Sequence, residues 1–173
     1  MNESDLRSKI REILDFPTPG INFKDITPLL EDKKAFRASI DKLADCFKHS
    51  RVAKVVGIDA RGFLVAAPIA YVLAAGMVIV RKKGKLPYET ILREHELEYG
   101  KSSLEIHTDA IQPGERILVI DDVLATGGTA EAAVKLVEEL KGVIVGIGVL
   151  IELASLGGRE KLKQYTVHSV LRY

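Results

Sequence analysis

The chain has 173 residues, 47% of them apolar and 28% charged, and its 25 basic and 24 acidic side chains leave a formal net charge of +1. This length fits one domain with a full core, and the charge balance argues against a basic surface built for nucleic acid. The single cysteine, Cys46, excludes an internal disulfide and a multi-cysteine metal site, so a cytoplasmic location is expected.

Two helices are predicted in the first fifty residues. Apolar residues from Leu6 to Leu14 follow helical spacing, which predicts one amphipathic helix over residues 1–16, stopped by the prolines at 17 and 19. This segment has no uninterrupted apolar stretch of the kind that a secretory signal contains. Apolar positions between Phe36 and Phe47 predict a second helix, with Asp32 as its cap and Cys46 as a small buried thiol.

An unbroken apolar run covers residues 63–80 and approaches the length of a membrane span. Pro68 and Gly76 divide it, and the four apolar residues after Gly76 have the character of a strand. We therefore predict a buried helix followed by a buried strand, and no membrane segment.

The remaining pattern alternates apolar strands with helices. Strands are predicted at 54–58, 116–120, 143–153 and 166–171, a helix at 127–141, and a long charged surface loop at 81–99. This alternation is typical of an α/β fold with a central, mostly parallel β-sheet flanked by helices.

The most informative stretch follows the strand at 116–120. Two adjacent carboxylates, Asp121 and Asp122, stand at its carboxyl end, where open α/β sheets bind ligands. Residues 125–129 then supply two hydroxyls and two glycines at the start of a helix, a composition suited to binding phosphate. An ordinary strand-to-helix turn is the alternative, but the paired acids favour a site for a ligand with both phosphate and hydroxyl groups.

Residues 117–129 resemble the phosphoribosyl-pyrophosphate motif of type I phosphoribosyltransferases, and residues 124–129 are similar to the branch that acts on adenine. By this resemblance, Asp121 and Asp122 bind the ribose hydroxyls. The residues implied to bind the 5′-phosphate are Ala125, Thr126, Gly127, Gly128 and Thr129.

Five further regions agree with the family in order along the chain. Residues 16–26 resemble the hood over the base, where Asn22, Phe23 and Lys24 would bind adenine. The family often has an apolar residue and an arginine where this chain has Asn22 and Lys24, which recognition through the backbone should tolerate. Residues 57–63 and 81–87 resemble the pyrophosphate-binding segments. The residues implied there are Asp59, Ala60, Arg61, Gly62, Arg81, Lys82 and Lys85.

Residues 97–101 resemble the family's flexible catalytic loop, and residues 104–107 the strand behind it. The resemblance implies that Glu98 handles protons on the purine and that Glu98 and Tyr99 lie on the loop that closes over the site. Arg61 and Lys85 are the other implied catalytic residues, since they would stabilise the charge of the departing pyrophosphate. From the residues alone, residues 81–85 could equally be a solvated charge run, Glu98 a surface residue and Phe23 a core residue.

The resemblance implies one domain over residues 1–173, with the hood in 1–31 and the flexible catalytic loop region in 82–103. It implies a homodimer that uses adenine and phosphoribosyl pyrophosphate and releases AMP and pyrophosphate. Mg²⁺ would be bound with the substrate diphosphate rather than directly by the protein. No nucleic-acid or membrane partner is expected.

Alternative functions can be weighed against this prediction. Gly100, Lys101 and Ser102 imitate the end of a P-loop, but His95 stands where that motif needs glycine. His49, His95, His107 and His168 are scattered without metal-ligand spacing, so surface or structural roles are expected. A non-catalytic sensor of phosphoribosyl pyrophosphate and an enzyme for xanthine or another purine stay open as alternatives.

Overall fold

Two sheets and the helices packed on them form the structure, a computed structural model that describes residues 1–96 and 101–173. The helices are α1 (Glu3–Arg7), α2 (Thr27–Glu31), α3 (Lys33–Asp45), α4 (Arg61–Val72), α5 (Gly128–Glu139) and α6 (Gly158–Lys161). The strands are β1 (Arg11–Leu14), β2 (Asn22–Asp25), β3 (Lys54–Ile58), β4 (Gly76–Lys82), β5 (Thr90–Glu96), β6 (Lys101–His107), β7 (Arg116–Leu124), β8 (Val143–Glu152) and β9 (Val167–Arg172).

The main sheet has the strand order β5-β6-β4-β3-β7-β8-β9. Strands β4, β3, β7, β8 and β9 are parallel, whereas β6 runs antiparallel to β4 and β5 antiparallel to β6. This arrangement confirms the predicted α/β class and the mostly parallel sheet. Because β3 and β7 are neighbours at its centre, the residues that follow or end these strands meet at one edge of the sheet.

The middle parts of the central strands are apolar because helices cover both faces of the sheet. Val55 and Leu118 are fully buried in the core beneath α3 and α4, while Val56 and Val119 are fully buried in the core beneath α5. Two cores on opposite faces therefore fix the strands, and with them the edge at which they end.

The predicted apolar run at 63–80 is a helix followed by a strand as expected, with Pro68 inside α4 and β4 beginning at Gly76, but only one face of each is buried, since Tyr71 and Ile79 are exposed. The predicted cap of the second helix is also confirmed, since the Asp32 carboxylate accepts hydrogen bonds from the amides of Lys34 and Ala35 at 3.0 Å. Among the described residues, none of the helices combines the length and apolarity needed to cross a bilayer.

The prediction of one helix over residues 1–16 is wrong. Helix α1 ends at Arg7, and residues 11–14 form β1, whose Ile13 is paired with Phe23 of β2. Leu6 and Ile10 are buried, but Leu14 is 71% exposed, so the apolar spacing does not describe one helical face. Pairing with a strand ten residues further along the chain overrides the local pattern here.

The predicted surface loop at 81–99 is wrong over residues 90–96, which form β5. This strand pairs antiparallel with β6 from Thr90 opposite His107 to Glu96 opposite Lys101. An edge strand with exposed, charged side chains such as Arg93 and Glu94 gives a weak sequence signal. The prediction for Cys46 is also wrong, since this residue is exposed, whereas the neighbouring Phe47 is buried.

Candidate active site

A cavity of about 550 Å³ lies at the carboxyl edge of the main sheet, beneath the small β1–β2 sheet. It joins the three predicted regions: the hood, the loop after β3 and the end of β7. Its lining consists of Pro17, Ile21, Asn22, Phe23, Lys24, Asp59, Ala60, Arg61, Lys82, Asp121, Asp122, Val123, Ala125, Thr129 and Leu153.

The two acids lie inside β7 rather than after it, because the strand continues to Leu124. Asp121 Oδ1 accepts a hydrogen bond of 2.9 Å from the amide of Asp122. The same oxygen packs on Gly62, where a Cβ atom would lie only 2.7 Å away. The absence of a side chain at Gly62 thus lets helix α4 approach the carboxylate.

Asp122 is only 5% exposed, yet its Oδ2 atom meets no hydrogen-bond partner of suitable geometry among the described residues. Arg61 Nε lies 2.8 Å from that oxygen and forms an ion pair with it. The guanidinium also lies 4.9 Å from the ring centre of Phe23 in the hood. Asp122 also lines the cavity, so its carboxylate links the cavity wall to the Arg61 guanidinium.

The electrostatics of the pair follow from this burial. Burial and the neighbouring Asp122 charge raise the pKa of Asp121 well above its usual range. Burial also raises the pKa of Asp122, but the Arg61 guanidinium opposes that shift by favouring the ionised carboxylate. The pair therefore holds a proton to higher pH than two exposed carboxylates would.

The predicted phosphate loop, residues 125–129, leads into α5. Gly127 is the N-cap with a φ of 82°, a left-handed conformation that favours glycine, and it has no side chain to cap the helix amides. Ala125 and Thr129 line the cavity, whereas Thr126, Gly127 and Gly128 lie in the same loop outside its lining. The N-terminal amides and dipole of the twelve-residue helix α5 favour an anion at this end.

His95, predicted to have a surface or structural role, lies beside this loop. Its Nε2 atom is 3.4 Å from Thr129 Oγ1, and burial lowers its pKa. The contact joins the end of β5 to the start of α5.

The loop after β3 carries the predicted pyrophosphate residues. The Asp59 carboxylate accepts hydrogen bonds from Arg81 Nε at 3.2 Å and from the amide of Lys82 at 3.4 Å, and the Asp59–Ala60 peptide bond is cis. Arg81 also donates to the carbonyl of Lys85 at 3.2 Å. The Asp59 side chain therefore ties the loop after β3 to the end of β4.

The structure does not bring every predicted cation into the cavity. Lys82 lines it, but Arg81 and Lys85 do not. Lys85 is exposed, and its amide donates a 2.8 Å hydrogen bond to the buried carboxylate of Glu105. Its predicted catalytic role stays a prediction, while Glu105, which the sequence analysis did not select, holds the segment in place.

The hood residues divide between two faces of β2. Asn22 Nδ2 and Lys24 Nζ both lie 2.8 Å from oxygens of Glu12 on β1, so these two side chains are occupied within the small sheet. Phe23 instead contacts Phe16 edge-on at 5.2 Å and faces Arg61. Among the described strands β2 pairs with β1 alone, which leaves its other backbone edge available to a ligand.

Sequence reasoning missed the apolar part of the lining, namely Pro17, Ile21, Val123 and Leu153. Leu153 directly follows β8, and its position at the carboxyl end of a central strand is the signal that could have identified it. The predicted loop residues Glu98 and Tyr99 lie outside the described residues.

The donor set is suited to Mg²⁺ that arrives with a substrate rather than to a metal held by the protein. Within residues 1–96 and 101–173, no group of three or more His, Cys, Asp or Glu side chains could hold a metal ion. The paired acids of β7 face a cavity whose remaining charged lining consists of the bases Lys24, Arg61 and Lys82 and the acid Asp59. A diphosphate ligand fits that environment and would bring its own oxygen ligands for a hard cation.

Comparison with known proteins agrees with the site. The phosphoribosyl transferase domain model matches residues 26–171. The chain is 60% identical over 168 residues to an adenine phosphoribosyltransferase of Alkaliphilus metalliredigens. The aligned region covers 97% of this chain and 99% of the relative.

Solved structures agree as well. The adenine phosphoribosyltransferase of Thermoanaerobacter pseudethanolicus superposes with a TM-score of 0.96 at 50% identity, covering 99% of this chain and all of that one. The Saccharomyces cerevisiae enzyme, crystallised with adenine and an imino-altritol bisphosphate, gives 0.91 at 36% identity and 98% coverage of both chains.

These matches confirm the resemblance found in the sequence: the chain belongs to the phosphoribosyltransferase family. Within that family it groups with the adenine phosphoribosyltransferases, at 60% identity over nearly its whole length.

The raised pKa of Asp121 predicts a stability difference that depends on pH. As pH rises above the pKa that Asp121 has in the unfolded chain, this carboxyl ionises in the unfolded state but keeps its proton in the folded state. The free energy of unfolding therefore falls. Asp121→Asn removes this penalty, so its melting temperature should exceed that of the wild type at about pH 8, and the difference should vanish below about pH 4. Thermal unfolding across this range measures it, with the exposed Asp109→Asn as control. A difference that does not change with pH would contradict the assignment.

Proposed function

We propose that this protein transfers the 5-phosphoribosyl group from phosphoribosyl pyrophosphate to adenine, giving AMP and pyrophosphate. The observation that carries the proposal is the pair Asp121 and Asp122 in the lining of the cavity, with the buried Asp122 Oδ2 atom 2.8 Å from Arg61. The cavity lining also includes Ala125 and Thr129 of the predicted phosphate loop, basic side chains such as Lys82, and apolar side chains such as Leu153. The relatives from A. metalliredigens and T. pseudethanolicus, 60% and 50% identical to this chain, are adenine phosphoribosyltransferases.

Asp121 and Asp122 are proposed to accept hydrogen bonds from the ribose hydroxyls. Hydrogen bonds to a charged acceptor contribute about 1.5–3 kcal/mol, and the burial of this pair excludes competing water. Residues 125–129 are proposed to hold the 5′-phosphate, with the backbone amides at the start of α5 and the hydroxyls of Thr126 and Thr129 as donors. The acids and the loop belong to one continuous stretch of chain, which sets the distance between the two halves of the ligand site.

The proposed pyrophosphate site lies on the opposite side of the acids. The backbone of residues 59–62 would bind the diphosphate, and Arg61, Arg81, Lys82 and Lys85 would supply positive charge. During transfer the C1′–oxygen bond to pyrophosphate breaks and a bond from C1′ to adenine N9 forms. Charge develops on the departing pyrophosphate, and donors already in position stabilise it without reorganisation. Mg²⁺, proposed to bind with the substrate, would neutralise part of the diphosphate charge.

The base is proposed to lie between the hood and Leu153. Phe23 would stack on the purine, and the backbone of Asn22 and Lys24 would read its edge, since the side chains of both residues are bound to Glu12. Adenine presents a donor at N6 beside an acceptor at N1, and a 6-oxopurine reverses that pattern. The mismatch would leave buried groups unpaired, at about 1–3 kcal/mol each. The S. cerevisiae relative crystallised with adenine supports this choice of base.

Glu98 and Tyr99 are proposed to lie on a loop that closes over the bound substrates, and Glu98 to take the N9 proton of adenine. The resemblance of residues 97–101 to the family's catalytic loop supports this assignment.

A homodimer is the proposed assembly. Leu64 and Tyr71 on α4 and Met77 and Ile79 on β4 are 38–88% exposed. A Cβ atom at Gly57 would lie 3.2 Å from both Met77 and Phe63, so the helix and the strand share this face. An exposed apolar surface of this kind is typical of a protein interface.

Sedimentation should therefore give a mass of twice 19.0 kDa, because burial of this face stabilises the dimer. Tyr71→Glu should shift the protein toward the monomer, whereas Tyr88→Glu, at an exposed tyrosine elsewhere, should not. A monomeric wild type at all concentrations would exclude this interface.

The free, exposed thiol of Cys46 supports a reducing, cytoplasmic location, which fractionation would test.

The reaction is tested by offering adenine, hypoxanthine, guanine and xanthine separately with phosphoribosyl pyrophosphate and Mg²⁺. Nucleotide and pyrophosphate are measured in each case. AMP should form with adenine, and the oxopurines should be slower by roughly tenfold or more, as one unpaired buried group predicts. Faster turnover of an oxopurine would overturn the assignment of the base. Tight binding of phosphoribosyl pyrophosphate without turnover of any base would identify a sensor instead of an enzyme.

A further inference from the structure

The phosphate loop packs directly on a second backbone segment at the start of α6. A Cβ atom at Gly127 would lie 2.5 Å from the carbonyl oxygen of Gly158. Conversely, a Cβ atom at Gly158 would overlap the carbonyl oxygen of Ala125 and lie 2.8 Å from the amide nitrogen of Gly127. The two segments therefore meet backbone to backbone, with no room for a side chain at either glycine.

A buried carboxylate holds this second segment in place. Glu152, at the end of β8, is 2% exposed and accepts hydrogen bonds from Arg159 Nε at 2.9 Å and Nη2 at 2.5 Å. Ser169 on β9 donates to the same carboxylate at 2.8 Å. Arg159 also donates from Nη1 to the carbonyl of Val167 at 2.9 Å, so its guanidinium group is hydrogen-bonded to both Glu152 and Val167.

The same carboxylate stands next to the base side of the cavity. Leu153, which lines the cavity, directly follows Glu152, and its amide donates a 2.8 Å hydrogen bond to the carbonyl of Leu124. Leu124 in turn precedes the phosphate loop. Glu152 is thus tied to the loop by two routes, one through Arg159 and Gly158 and the other through Leu153.

We propose that Gly158 and Arg159 are positioning residues that set the phosphate loop for the 5′-phosphate, an inference that rests on the proposed function. Neither residue lines the cavity, so they act through the loop and not on the ligand. Preorganised donors lose affinity when they are displaced, and a shift of about 1 Å can cost on the order of a hundredfold in rate. We name these two residues the buttress.

A positioning role of the buttress differs from a general structural role because only one ligand should lose affinity when the buttress is changed. It touches the loop at residues 125–127, whereas the proposed pyrophosphate loop at 59–62 lies after β3 and is held by Arg81. A buttress variant should therefore weaken the binding of ribose 5-phosphate and leave that of pyrophosphate unchanged. General destabilisation would lower the melting temperature and move both affinities together.

The direct test is Gly158→Ala, because the added methyl group must displace the carbonyl of Ala125. Titration calorimetry should show the dissociation constant of ribose 5-phosphate raised roughly tenfold or more, and that of Mg²⁺-pyrophosphate within about twofold of wild type. Gly157→Asn is the matched control, since Gly157 has a φ of 67° that asparagine tolerates and a Cβ there meets nothing within 4 Å. Unchanged ribose 5-phosphate affinity in Gly158→Ala, or an equal loss for both ligands, would overturn the proposal.

Arg159 provides a second, graded test that does not add bulk at the loop. Arg159→Lys keeps the charge but loses the two-pronged contact with Glu152, and Arg159→Met loses both. We expect the affinity for ribose 5-phosphate to fall in the order wild type, Lys, Met, while the exposed Lys163→Met leaves it unchanged. Equal affinity in all four proteins would exclude Arg159 from the buttress.

Failure of the buttress can be told apart from failure of the proposed function by the double variant Thr126→Val, Thr129→Val. If this loop variant weakens ribose 5-phosphate binding but Gly158→Ala does not, the loop is the phosphate site and the buttress is wrong. If the wild type fails to bind ribose 5-phosphate, or the loop variant binds it normally, the phosphate site is wrong and the buttress falls with it.

Discussion

The ion pair between Arg61 and Asp122 is the contact on which the arrangement of the site depends. Arg61 begins α4, Asp122 lies inside β7, and the same guanidinium faces Phe23 of the hood. One side chain thus fixes a helix, a central strand and the cover of the cavity relative to one another. Two adjacent carboxylates beneath a protein surface repel each other and lose hydration, and Arg61 offsets part of that cost.

Burial of Asp121 and Asp122 beside the cavity lowers the stability of the fold at neutral pH. The same burial places these carboxyl groups where a ligand can reach them. The Asp122 oxygen that lacks an aligned donor and the raised pKa of Asp121 are both consequences of burial next to a cavity. Polar groups that are not satisfied within the fold are expected where a ligand completes them. The backbone contacts around Gly62, Gly127 and Gly158 serve the same end, because they bring rigid segments close to the cavity without filling it.

The sequence predicts the centre of the fold better than its edges. Val55–Ile58 of β3 and Ile117–Ile120 of β7 form apolar runs because both faces are covered, and Asp121 and Asp122 end the second run conspicuously. Strands β1 and β5 escape prediction because each is defined by pairing with another strand, and their side chains are largely exposed. Leu153 and the bond between Glu152 and Arg159 escape it for a related reason. The end of the predicted strand marks Leu153 as a candidate, but which strand ends meet at the sheet edge, and that Glu152 meets Arg159, depends on the tertiary structure.

A double-mutant cycle tests most directly whether Arg61 and Asp122 act as one unit. The affinity of Mg²⁺-phosphoribosyl pyrophosphate would be measured by calorimetry for the wild type, Arg61→Met, Asp122→Asn and the double variant. If the pair positions the site together, the double variant should lose less affinity than the sum of the single losses, with a coupling energy on the order of 1 kcal/mol or more. Losses that simply add would show that the two residues contact the ligand independently, and would contradict the central place given to their ion pair.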